Sequence, residues 1–217
     1  MQSMANVTRD PAQVNFLKDG PNSRKTKINT LDDFVKNVET IDFSNKQIMA
    51  ATQNQTAVVI YSDLAKYKTI YELFDKLQPK SGYLALLYQL ESNVGHWCAL
   101  GLRNNKTVLE VFDPYGFGKL DAELNYTTYN NNPYLSRLVN NTPNLKVVVP
   151  NLRFQSRKEH VNTCGRHVAT RINFHKLTAE EYFKFMVDKN PIGMRQRKTL
   201  APGNFLDMSV AMMTAFY

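Results

Sequence analysis

Between residues 83 and 112 the chain carries three apolar runs separated by short polar breaks, and this stretch constrains its fold more than any other. Tyr83–Leu90 has the length and composition of a buried strand, and His96–Leu102 and Thr107–Phe112 are two further strand-like runs on either side of Asn104-Asn105. Asparagine tolerates the positive φ that a two-residue hairpin turn requires, so the last two runs read as an antiparallel hairpin. With a two-residue loop, His96 and Asp113 stand directly opposite each other on neighbouring strands, close enough for a carboxylate to hold an imidazole N–H.

The flanking segments supply helices. Thr30 caps a short helix opened by Leu31, Asp32, Asp33 and Phe34, and Ala57–Tyr61 is a short strand. Leu64, Tyr67, Tyr71, Phe74 and Leu77 recur at helical spacing, which predicts one amphipathic helix over 62–78. Residues 125–132 are rich in Asn, Tyr and Thr and read as irregular, and Leu145–Val149 is a strand stopped by Pro150. Asn162 or Thr163 caps a helix through about Phe174 whose apolar face is Cys164, Val168, Ala169 and Ile172. Thr178-Ala179-Glu180-Glu181 is a capping box for a helix to about Asp188, and Phe205–Phe216 makes a last helix. Helices in front, a sheet in the middle and helices behind make an α+β fold. The expected architecture is a single domain over 1–217 with a central mixed, mostly antiparallel sheet flanked by helices and an arm at 1–29.

Composition narrows the function classes. Apolar residues are 43% and charged residues 21% of the chain, an ordinary globular balance, and no stretch approaches the apolar length of a membrane span. The start, Met1–Asp10, lacks the apolar run of a secretory signal. Cys98 and Cys164 are too few for a disulfide framework, which places the chain in a reducing compartment, although one bridge between them stays open. Of the net charge of +8, most lies in residues 151–200, which hold 11 Lys and Arg against 4 Asp and Glu. That clustering suits a polyanionic partner or an anion-stabilising site, and equally a solvated basic face.

Cys164 stands where a nucleophile gains most. It lies in Asn162-Thr163-Cys164-Gly165 at the predicted start of a helix. Free amide N–H groups and the helix dipole there favour the thiolate. Gly165 lets a substrate backbone approach closely. The Cys164 backbone N–H is one oxyanion donor, and Gln155, in the preceding loop, is the candidate for the second. His96 serves as base and Asp113 orients it, the division of labour of a catalytic triad. Each signal has a plain alternative: a lone cysteine is usually a small buried hydrophobe, as Cys98 beside Trp97 reads, and a His–Asp pair is often structural. His160 and His167 are rival bases, but His167 would have to fold back along the helix of Cys164. Together with His175 and one cysteine, they match no zinc spacing, so no metal is expected.

In order, Gly95-His96-Trp97, Val111-Phe112-Asp113-Pro114-Tyr115-Gly116-Phe117-Gly118, Gln155 and Asn162-Thr163-Cys164-Gly165 resemble the adenain-type and ubiquitin-like-protein protease superfamily of cysteine proteases. The resemblance covers about residues 83–175 and is nearest to the maturation proteases of virophages and Maverick/Polinton elements. It implies an adenain-like fold and a thiol endopeptidase with His96, Asp113, Cys164 and Gln155 in the catalytic roles. It implies that Trp97 roofs a narrow channel with Gly165, so that cleavage follows Gly-Gly or Gly-x-Gly sequences in capsid precursor proteins. It further implies a monomer with no cofactor for the chemistry, activation by viral DNA, no membrane partner, and a place in the virion and the infected cell. Three departures stand out: Asp at 113 where the adenoviral enzyme has Glu, nine residues between Gln155 and Cys164, and the polar Arg166 and His167 where relatives are mostly apolar. The alternatives are a deconjugating protease for a ubiquitin-like modifier and a non-enzymatic basic nucleic-acid-binding protein.

Overall fold

The computed structural model describes residues 33, 37–91, 94–126, 132–158, 160–189 and 202–217. The expected arm at 1–29 and the Thr30 cap lie outside the described residues, as does most of 125–132. The described chain folds around a five-stranded sheet: β1 (Ala57–Ile60), β2 (Tyr83–Glu91), β3 (Val94–Arg103), β4 (Val108–Phe112) and β5 (Lys146–Val148), in that spatial order. The three central strands are antiparallel neighbours, while β1 and β5 add at the edges in parallel. Helices cover both faces, so this is an α+β fold with a mixed sheet.

Central strands buried on both sides must be apolar at nearly every position. Alternate residues of β2 and β3 divide between two cores accordingly. Tyr83, Ala85, Trp97 and Ala99 face one side, against α1 (Asn45–Ala51), α4 (Cys164–Asn173), α5 (Ala179–Lys184) and α6 (Pro202–Met213). Leu84, Leu86, Cys98 and Leu100 face the other, against α2 (Ile70–Leu77) and α3 (Tyr134–Asn140). The Thr178 capping box is present, with Glu181 returning to the Thr178 backbone, and a π-helical turn, Phe185–Lys189, extends α5.

Two expectations fail for identifiable reasons. The single helix over 62–78 is instead a 3-10 turn (Tyr61–Lys66), an extended Tyr67 and then α2. Thr69 restarts the helix by accepting from Glu72 N, and Arg137 of α3 reaches across to donate to the carbonyls of Leu64 and Tyr67. Those carbonyls, the ends of the short turn, are thus satisfied from outside the segment. The hairpin loop has four residues, Asn104 to Thr107, with positive φ at Asn104, Asn105 and Lys106. Ala99 pairs with Phe112 and Arg103 with Val108, a register two residues away from the expected one. His96 and Asp113 are therefore not direct cross-strand partners.

Helix α4 is buried all round, beyond the one apolar face expected of it. Cys164 through Ile172 are all buried, Arg166, His167 and Arg171 included. Arg171 Nε and Nη2 donate to the two Glu110 oxygens, both at 2.9 Å, and Nη2 donates to the Tyr83 hydroxyl at 2.8 Å. Tyr83 itself lies over Gly101, its partner across the β2–β3 ladder, where a Cβ would come within 2.3 Å of the ring. The glycine thus leaves room for the ring whose hydroxyl completes the buried ion pair.

Candidate active site

One end of the sheet gathers the chemistry. There β3 begins, β4 ends and α4 starts. A slip of two residues keeps every side chain on its face, because the strand period is two. Asp113 consequently remains on the face of His96 and reaches it diagonally. His96 Nε2 and Asp113 Oδ1 are 2.8 Å apart, with both side chains buried. The tight turn after β4 fixes the carboxylate: Tyr115 N–H donates to Oδ1 at 2.9 Å and Phe117 N–H to Oδ2 at 2.8 Å. Tyr115, in the turn after β4, stacks on the His96 imidazole with ring centroids 4.4 Å apart and planes 12° from parallel.

Electrostatics set the protonation of the pair. Burial alone would lower the His96 pKa, but the hydrogen bond to Asp113, the neighbouring Cys164 sulfur and the charge of each outweigh it and push the pKa up to about 10. Burial alone would raise the Asp113 carboxyl, yet the His96 imidazole and the two backbone N–H groups hold it below its usual range. These are the opposing effects expected of a desolvated, hydrogen-bonded ion pair.

Cys164 is the first residue of α4 and is 7% exposed, and both cysteines are free. Thr163, the N-cap, makes no capping hydrogen bond; its hydroxyl donates instead to Asp207 Oδ1 at 2.6 Å. The first-turn N–H groups of α4 thus receive no side-chain cap, and unfilled donors at a helix start favour an anion. Gln155 is buried in the loop before α4, and its Nε2 donates to the Val161 carbonyl at 2.9 Å, while its Oε1 has no protein partner. Trp97 Nε1 donates to the Phe43 carbonyl at 3.0 Å. A Cβ on Gly165 would fall 2.5 Å from Phe43 Cβ and 3.1 Å from Trp97 Cδ1. The glycine expected to admit substrate is thus required for packing α4 against Phe43 and Trp97. A cleft of about 480 Å³ runs beside these residues, lined in part by Phe43, Leu87, Gln89, Gly95 and Trp97.

The other histidines are engaged elsewhere or lie at the surface. His167 is paired with Asp207 at 2.9 Å, His175 Nδ1 lies 3.1 Å from the Ile172 carbonyl, and His160 is exposed. Arg166 is inside as well, donating to Thr214 and lying over the Phe43 ring. With Arg166 and Arg171 both interior, the basic segment presents less charge to solvent than its sequence suggests.

Asp207 of α6 is the residue that sequence reasoning missed. Besides Thr163 and His167 it accepts from the Ser156 N–H at 2.9 Å, so one buried carboxylate ties α6 to the loop after Gln155 and to the start of α4. No local pattern marks it, because its partners stand 40 to 51 residues earlier. Removing a buried, fully used carboxylate is strongly destabilising, so Asp207→Ala is expected to cost about 3–5 kcal/mol of stability in urea unfolding. A loss below about 1 kcal/mol would show that the clamp is dispensable.

No family model matches the chain. It is 32% identical over 161 residues to the uncharacterized protein V9 of Sputnik virophage, an alignment covering 71% of this chain and 88% of that protein. By that identity and coverage, the chain belongs to the same family as the virophage V9 protein.

Proposed function

We propose that this protein is a cysteine endopeptidase that acts on viral capsid precursor proteins. The observation that carries the reading is the buried His96–Asp113 pair, with its imidazole under the influence of the Cys164 sulfur at the start of α4. In this mechanism His96 takes the Cys164 proton, and the thiolate attacks the scissile carbonyl carbon. The Cys164 N–H and the second N–H of the Gln155 amide receive the oxyanion. His96 then passes its proton to the leaving amine as the C–N bond breaks, leaving a thioester. Water, deprotonated by the same imidazole, releases the acid and restores the thiol.

The cleft beside Gly95 and Trp97 is where the acyl part of a substrate would lie. With Trp97 among its walls, small residues before the scissile bond would fit best, as in Gly-Gly or Gly-x-Gly sequences. The exposed cations Arg153, Arg157, Lys158, Lys176 and Lys184 supply the surface that a polyanionic activator such as DNA would meet.

The deciding measurement is the alkylation rate of Cys164 across pH in the native protein and in His96→Ala. Fast alkylation extending to low pH, slowed in the variant, is the expected result. Equal rates in both proteins, with and without DNA, would remove the hydrolase reading and leave a nucleic-acid-binding role to be tested by salt-dependent affinity.

A further inference from the structure

Behind the imidazole lies a second set of donors that hydrolysis does not use. Cys98 stands two residues after His96 on β3, so both side chains leave the same face of the strand. Glu123 reaches in from a 3-10 turn, Ala122–Tyr126. One ligand atom each from His96, Cys98, Asp113 and Glu123 lies within 4.8 Å of all the others, and all four residues are buried. The Cys98 thiol donates to Glu123 Oε1 at 3.3 Å. Burial, then the charge of Asp113, pushes the Glu123 carboxyl up to about 7, and burial followed by the charge of Glu123 holds the Cys98 thiol well above its ordinary value. Two carboxyls and a thiol thus share one desolvated volume.

We propose that His96, Cys98, Asp113 and Glu123 form a binding site for a zinc-class divalent cation, which holds the protein inactive by drawing His96 away from Cys164. One sulfur, one imidazole nitrogen and two carboxylate oxygens are the donor types and the number that zinc takes in a closed tetrahedral site. Calcium and magnesium favour all-oxygen shells and are excluded by the thiol and the imidazole. Zinc–ligand bonds of about 2.0–2.3 Å put tetrahedral donors roughly 3.3–3.8 Å apart, so the group needs to contract by about 1 Å, within the reach of side-chain rotation. An entry path exists: a cavity of about 280 Å³ is lined by both His96 and Glu123, with Tyr115, Phe117, Tyr126 and Arg157 forming its other walls.

Binding makes four metal–ligand bonds and breaks no covalent bond except those to protons. The Cys98 thiol proton, the proton on Glu123 and the imidazole proton facing Asp113 pass to solvent. The ion's charge then compensates the thiolate and carboxylates that burial otherwise penalises. Binding itself does not depend on the hydrolase reading; only the inhibitory consequence rests on it.

The test uses the full-length Cys164→Ser protein, in which Cys98 is the remaining cysteine. Titration with Zn²⁺ by calorimetry is expected to show one equivalent bound at micromolar affinity or tighter. Co²⁺ in its place is expected to give tetrahedral d–d bands with a thiolate-to-metal charge-transfer band. Cys98→Ser and Glu123→Gln should each weaken Zn²⁺ binding by about tenfold or more, with thermal melts in chelator confirming that both are folded. Absence of the charge-transfer band in Cys164→Ser, or undiminished binding by Cys98→Ser, overturns the proposal. The band needs no second variant to interpret. If it appears in a protein whose native form, freed of metal by chelator, turns over no substrate, the metal site stands and the hydrolase reading falls.

Discussion

Cys164→Ala is expected to abolish turnover of a Gly-x-Gly peptide while leaving the protein folded. The substitution removes one sulfur atom from a side chain at the start of α4, so the packing loss is small, about 1 kcal/mol. That corresponds to a fall of a few degrees in the melting temperature. On the proposed mechanism the chemical loss is of another order, because among the described residues only Cys164 is placed to form the covalent intermediate. Cys98 cannot replace it, being 1% exposed and engaged with Glu123. Loss of a nucleophile of this kind costs on the order of 10⁶ in kcat. A purified alanine variant that still formed products within a few orders of magnitude of the native rate would place the nucleophile elsewhere.

Asp113→Asn should lower kcat by about 10⁴ with KM little changed. Asparagine cannot satisfy its surroundings: the carboxylate accepts from His96, Tyr115 N–H and Phe117 N–H, whereas the amide NH₂ would face a donor in at least one of these positions. The imidazole then turns or takes the wrong tautomer. The pH dependence supplies an independent readout. On the proposed mechanism the alkaline limb of activity follows loss of the His96 proton, whose pKa lies at about 10. With the Asp113 charge removed, that limb should move to lower pH. Stability follows the same sign: a histidine whose folded pKa lies above its ordinary value stabilises fully below about 6.5 and loses that contribution as pH rises through 10. The variant should therefore show a smaller fall in urea midpoint between pH 6 and pH 11 than the native chain. An unchanged alkaline limb would mean that Asp113 does not govern the imidazole.

Much of this was legible in the residues alone. Strand faces follow from a period of two, which is why Asp113 lands beside His96 even though the hairpin register differs by two residues from the one read off Asn104-Asn105. The Thr178 capping box is local and stands in the structure as its residues predict, and the start of α4 at Cys164 follows from the polar Asn162-Thr163 step before an apolar face. What could not be read came from contacts between segments far apart in the chain. Arg137 divides an apparently continuous helix at Tyr67, Glu110 and Tyr83 draw Arg171 into the interior, and Asp207 turns Thr163, His167 and Ser156 into one clamp. The polar residues of α4 look like a solvated face until the tertiary structure supplies these partners. Sequence therefore determined the periodic and capped elements, whose energetics are local, along with the order of the chemical groups. Only the tertiary structure decided which polar side chains are interior, because burying a charge becomes tolerable only when distant residues meet it.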